Sequence, residues 1–245
     1  AVYRSMDRYP IKCANDPPLF DSEEASTIRL QISAGCPSFC TFCFEGWERK
    51  PYREVPYRKL VEEALHLKQT SGADSVELTS FNFNTHSDIV ALIVELQRYF
   101  KQVDFMSQRA DILAIMPTLA VFEAAAGNGV FTVSIEGISE RMRAYYHKEL
   151  SRDRIMGAIE ALVQAKAKEI KLFFILSGDE DASDGEDFNR LLLSIDALRS
   201  RHGSHTRIVC SFGLLVRMPF TPLRYERLLL DKAQWELSLQ VVQQA

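Results

Sequence analysis

From residue 27 onward the chain alternates short strand-like runs with longer helix-like runs six times, and this rhythm constrains the fold more than any other feature. Residues 27–33 set Ile28, Leu30 and Ile32 against Arg29 and Gln31, the period of two that marks a strand. Leu60, Val61, Ala64, Leu65 and Leu67 then recur at helical spacing over 57–70, and Ser71-Gly72 supplies a stop. The alternation continues as strand 75–80, helix 87–100, strand 103–107, helix 111–126 stopped by Gly127, and strand 130–135. Helix 152–166 follows with Ser151 as its N-cap, then strand 170–176, helix 185–200, strand 207–216 and a last helix over 223–237. The near-continuous apolar run 170–176 suits a strand buried on both faces. Strands joined through helices need crossover connections, so the pattern predicts an α/β fold with a parallel sheet.

A doubly wound sheet and a barrel both fit six such units. Strand 130–136 chooses between them, because Phe131, Val133 and Ile135 share one face while Thr132, Ser134 and Glu136 share the other. Three polar groups near a strand's C-terminal end are costly between two helical layers. A six-unit partial (β/α)6 TIM-like barrel, open at its C-terminal rim, accommodates them. The expected organisation is an irregular leader over 1–26, the barrel over 27–222, and a C-terminal helix or the start of a further segment over 223–245. The chain begins at Ala1 rather than Met, so it is also read as a piece of something longer.

Composition narrows the function. Among 245 residues, 29 basic and 33 acidic side chains give a net charge of −4, which provides no whole-chain basic field for a nucleic-acid backbone. No apolar run approaches the roughly 20 residues of a membrane-spanning helix, and the opening Ala-Val-Tyr-Arg-Ser lacks the apolar stretch of a signal peptide. A cytoplasmic protein without a membrane partner is expected. Acidic residues Asp179, Glu180, Asp181 and Asp184 follow the fifth strand and read as a solvated loop.

The cysteines lie at 13, 36, 40, 43 and 210, a distribution unsuited to a disulfide framework. Cys36, Cys40 and Cys43 occupy the loop directly after the first strand, at the strand end where α/β folds gather their sites. Their C-x3-C-x2-C spacing offers three thiolates on one short loop, enough for three irons of a cubane cluster and leaving the fourth iron open. A structural zinc ion would require a fourth ligand, with Cys13, Cys210 or a histidine such as His86 as candidates. Isolated Cys210 in an apolar strand reads as a small buried hydrophobe.

With Phe42 before the last cysteine, and with this loop following the first of six strand–helix units, the chain resembles the radical S-adenosylmethionine (radical SAM) enzymes over residues 27–222. The resemblance implies a [4Fe–4S] cluster on Cys36, Cys40 and Cys43, with S-adenosylmethionine chelating the open iron. It further implies reductive cleavage to a 5′-deoxyadenosyl radical that attacks a substrate C–H bond, and a one-electron reductant of flavodoxin- or ferredoxin-like kind. The family's Gly-Gly-Glu sequence at the second strand's end is absent; Thr79 and Ser80 are the candidates to replace it as contacts for the cofactor's amino group, with an ordinary strand end capped by polar residues as the plain alternative. Ser134 and Glu136 match the family's ribose-contacting positions, since a carboxylate accepts both ribose hydroxyls. Gln108 and Arg109 are candidates for the methionine carboxylate or the substrate, with an Arg109–Asp111 pair as the plain alternative; Arg143 is a further carboxylate-binding candidate.

The stretch 131–143, His147-Lys148, Ser211-Phe212-Gly213 and Met218-Pro219-Phe220-Thr221-Pro222 are similar to the cobalamin-associated branch. That branch implies methyl transfer, but its Asp-x-His-x-x-Gly loop does not occur, so cobalamin is expected only if a separate domain is missing from this chain. The competing reading is a non-catalytic zinc or iron–sulfur binding scaffold.

Overall fold

The computed structural model describes residues 27–227 and 232–244. The expected leader over 1–26, with Cys13, lies outside them. Nine strands and eight helices follow in order among the described residues: β1 (Thr27–Gln31), β2 (Ser33–Ala34), β3 (Arg53–Glu54), α1 (Tyr57–Ser71), β4 (Ser75–Thr79), α2 (Ile89–Leu96), β5 (Gln102–Phe105) and β6 (Gln108–Arg109). Then come α3 (Ala110–Ile115), α4 (Thr118–Ala125), β7 (Val130–Glu136), α5 (Glu140–Tyr145), α6 (Arg152–Gln164), β8 (Glu169–Leu176), α7 (Ala182–Arg201), β9 (Arg207–Leu214) and α8 (Lys232–Gln243).

The principal sheets run β1-β4-β5 and β6-β7-β8-β9, with every pairing parallel. Only Met106 and Ser107 separate β5 from β6, so 102–109 is one broken strand that pairs first with β4 and then with β7. The result is six parallel strand positions in sequential order, the arrangement of a partial barrel. The helices cover one face of this sheet. Ile28 and Leu30 of β1, Val76 and Leu78 of β4, Phe131 and Val133 of β7, and Ile170, Leu172, Phe174 and Leu176 of β8 are all buried there. Each such aliphatic or aromatic side chain contributes about 1.5–3 kcal/mol on burial. The alternate residues Gln31, Thr79, Ser134 and Phe173 face the concave side.

Several expected boundaries move for identifiable reasons. The single helix over 111–126 becomes α3 and α4, because Pro117 carries no N–H and disfavours helical geometry at Met116. The strand over 170–176 is buried on one face only, with Phe173 41% exposed on the concave side. The last helix does not start at 223: Pro222–Tyr225 form a one-turn 3-10 helix, and α8 begins at Lys232. The acidic run is not a solvated loop either. Asp181 and Asp184 form a capping box at the start of α7, and Glu180 is buried, accepting from Ser177 N, Ser177 Oγ, Gly178 N and Ser238 Oγ. Ser238 belongs to α8, so this carboxylate ties the last helix to the turn after β8.

Candidate active site

The cysteine loop starts at a forced turn. Gly35 has φ +77°, and a Cβ there would lie 2.1 Å from the Arg49 carbonyl oxygen, so only glycine lets segment 49–51 pack this closely. Residues Cys36 to Cys43 follow. Their backbone groups are held largely by distant groups: Lys50 Nζ donates to the carbonyls of Cys36 (2.5 Å) and Ser38 (2.7 Å), Trp47 Nε1 to Cys40 (2.8 Å), and the Leu223 N–H to Thr41 (3.2 Å). His147 Nδ1 donates to the Phe39 carbonyl at 3.0 Å, which assigns the proton to that ring nitrogen. From the other side, Thr41 donates through N and Oγ1 to the carbonyls of Tyr146 and Tyr145. Bracing of this kind limits the loop's freedom, which lowers the entropic cost of holding a metal group.

Cys36 and Cys40 are buried and Cys43 is partly so. Burial pushes the Cys40 thiol up to about 11, opposed by Lys148 and reinforced by Glu136 and the neighbouring thiols. Burial also raises Cys43, against the N–H groups of Gly46 and Glu45. Both therefore hold protons near neutral pH until a metal displaces them. Asn82 Nδ2 lies 3.5 Å from Cys36 Sγ, a donor aimed at the sulfur.

Among the described residues no group of three or more His, Cys, Asp and Glu side chains closes around a single-ion position. A three-sulfur donor set of this kind suits a cluster, in which each thiolate binds a different iron, better than zinc, whose four ligands converge on one point. Among the described residues both zinc candidates are committed elsewhere. Cys210 pairs in register with buried Leu172 and packs toward the helices, where burial raises its thiol. His86 donates from Nε2 to the Val55 carbonyl (2.9 Å) and accepts the Asp88 N–H on Nδ1 (3.1 Å), so both ring nitrogens are used.

Several of the remaining candidates gather at this rim. Thr79 ends β4 on the concave side, and Ser80 Oγ lies 2.6 Å from Ser33 Oγ. Phe42 packs edge-on against Tyr146 with ring centroids 5.4 Å apart. Arg109 makes the pair with Asp111, bidentate at 2.9 and 2.6 Å, and its remaining Nη1 donates to Ser38 Oγ in the cysteine loop. Ser134 lies on the concave face of β7, and a register shift between it and Glu136 gives Glu136 a φ of +70°. There the Glu136 carboxylate lies 3.5 Å from Lys148 Nζ, both side chains nearly buried; burial raises its pKa while Lys148 lowers it.

Two candidates point elsewhere. Gln108 pairs in register with core residue Val133 and is 1% exposed on the helix side, near Glu123 of α4, so it does not face the cavity. Buried Arg143 donates from Nε to the Leu150 carbonyl (2.8 Å) and from Nη1 to that of Gly137 (3.2 Å). It braces the turn that carries Lys148 instead of presenting its charge to a ligand. Conversely Lys50, Asn82, Lys148 and Ser38 belong to the site without having been singled out for it in the sequence. A cavity of about 910 Å³ adjoins the loop, with Ser38, Cys40, Arg109, His147 and Lys148 in its wall. That volume lies in the range of small-molecule sites.

The family model of the radical SAM superfamily matches residues 30–207. The chain belongs to the radical SAM superfamily. Membership brings with it a [4Fe–4S] cluster and S-adenosylmethionine as cofactors, and the loop's three thiols are the residues that fit the cluster. A probable GTP 3′,8-cyclase of Thermoplasma volcanium is 23% identical over 154 residues, covering 62% of this chain and 46% of the relative. Two solved radical SAM structures share the fold. The methyltransferase TsrM of Kitasatospora setae, with cobalamin and a [4Fe–4S] cluster bound, has a TM-score of 0.58 at 15% identity over 80% of this chain and 35% of its own. Coproporphyrinogen III oxidase of Escherichia coli has a TM-score of 0.60 at 13% identity over 89% of this chain and 52% of its own. This chain thus spans less than half the length of the cyclase and about a third to a half of the two structures. Among the described residues no helix is long and apolar enough to cross a membrane.

Proposed function

We propose that residues 27–222 form the catalytic unit of a radical SAM enzyme acting on a substrate admitted at the barrel's C-terminal rim. The observation that carries this reading is the braced loop that sets Cys36, Cys40 and Cys43 together directly after the first of six parallel strand positions. Cys36, Cys40 and Cys43 would hold the [4Fe–4S] cluster, which supplies the electron that cleaves S-adenosylmethionine to methionine and a 5′-deoxyadenosyl radical. Thr79 and Ser80 present hydroxyls at the end of β4 for the cofactor's amino group. Ser134 and Glu136 offer acceptors for the ribose, with Lys148 holding the Glu136 carboxylate in place. Arg109 keeps Ser38 and the loop seated. The buried flank of the loop limits water access, which protects a radical from quenching.

The electron donor we infer is a flavodoxin- or ferredoxin-like protein of the cytoplasm, where thiols stay reduced. Methyl transfer through cobalamin is a second reading, supported by the likeness to TsrM, and it requires a cobalamin-binding domain beyond the barrel. The test is anaerobic. Protein reconstituted with iron and sulfide, then given dithionite and S-adenosylmethionine, is expected to yield 5′-deoxyadenosine, whereas Cys40→Ala yields none. Equal product from both would overturn the proposal, and a wild type that binds one zinc and no iron would favour the scaffold reading.

A further inference from the structure

Three cations interact with the thiols: Lys50 with Cys36, Cys40 and Cys43, Arg109 with Cys36 and Cys40, and Lys148 with Cys40. Two of them bring a counter-charge. Asp111 binds Arg109 bidentately, and Glu136 lies 3.5 Å from Lys148 Nζ. Lys50 differs: among the described residues no carboxylate meets its ammonium, which donates to the carbonyls of Cys36 and Ser38 and lies 3.8 Å from the centre of the Phe39 ring. Its backbone is fixed as well, since the Arg49 and Pro51 carbonyls on either side press against Gly35.

We propose that Lys50 is a positioning residue that sets the reduction potential of the cluster, as an uncompensated positive charge fixed behind the cysteine loop. This deepens the reading above and rests on it. Three thiolates make the cluster site negative, and one-electron reduction adds a further negative charge with no bond made or broken. A fixed cation nearby stabilises the reduced form more than the oxidised one, and partial burial keeps solvent from screening that difference. Arg109 and Lys148 contribute less, because Asp111 and Glu136 cancel much of their field.

The experiment compares wild type, Lys50→Met and Lys50→Arg after anaerobic reconstitution. Iron and sulfide are counted, and the cluster's midpoint is read by electron paramagnetic resonance during titration with dithionite. The signal comes only from chains that carry a cluster, so lowered occupancy does not blur the potential. Lys50→Met is expected to shift the midpoint to more negative values, and Lys50→Arg to restore it toward wild type. An unchanged midpoint in Lys50→Met overturns the proposal. So does complete loss of the cluster in Lys50→Met with full loading of Lys50→Arg at a shifted midpoint, which would make Lys50 a clamp on the loop. A wild type without a four-iron cluster would instead overturn the proposed function on which this inference stands.

Discussion

Glu123 sits on α4 with no exposed surface, and neither carboxyl oxygen has a hydrogen-bond partner among the described residues. Burial pushes its pKa up to about 8 from an ordinary 4.5, and the nearby Gln108 amide moderates this only partly. Between those two values the folded protein holds a proton that the unfolded chain has released. The contribution of Glu123 to stability is therefore complete below its ordinary pKa and falls as pH rises, by about 1.4 kcal/mol per unit for one proton. From pH 5 to pH 7 the loss amounts to about 2–3 kcal/mol, a large part of a typical domain's net stability. Glu123→Gln keeps the shape and removes the ionisation. Urea unfolding of both proteins at intervals from pH 5 to pH 8 should show the variant gaining on wild type by about 1 kcal/mol or more per unit. A constant offset between the proteins, whatever its sign, would refute the reasoning, because it would mean that Glu123 does not change its protonation on folding.

Gly35→Ala places a methyl group 2.1 Å from the Arg49 carbonyl oxygen, so it should cost at least ~2 kcal/mol in thermal unfolding and sharply reduce iron uptake. Glu136→Ala should weaken S-adenosylmethionine binding by roughly tenfold or more, as loss of a charged hydrogen-bond acceptor does, while iron content stays unchanged; loss of the cluster would make the residue structural. Cys210→Ala, on the helix side of β9, should leave the cluster spectrum as in wild type and cost only about 1 kcal/mol. A changed spectrum would instead make Cys210 a ligand.

The strand–helix rhythm was legible because it is local: Ile28, Leu30 and Ile32 report their own burial whatever lies beyond them. The polar face of β7 was legible for the same reason, and so was the cysteine loop. What escaped depended on contacts between distant segments. Lys148 reaches Glu136 only because the chain folds back after α5, and Lys50 reaches the Cys36 carbonyl only across the turn at Gly35. Gln108 faces the helices because the broken strand over 102–109 decides which face it occupies, and no periodicity in two residues reveals that. Two signals are local: Pro117 suffices to divide the helix over 111–126, and the Asp181-to-Asp184 spacing suffices to cap the helix that follows it.

The proposed chemistry stands on three thiols from one loop holding a four-iron cluster whose fourth iron is free for S-adenosylmethionine. Mössbauer spectroscopy of protein reconstituted with ⁵⁷Fe, with and without S-adenosylmethionine, tests it most directly. One four-iron cluster per chain is expected, in which a single iron site changes on adding the cofactor. Four sites that ignore the cofactor, or a chain that holds no cluster at all, would contradict it.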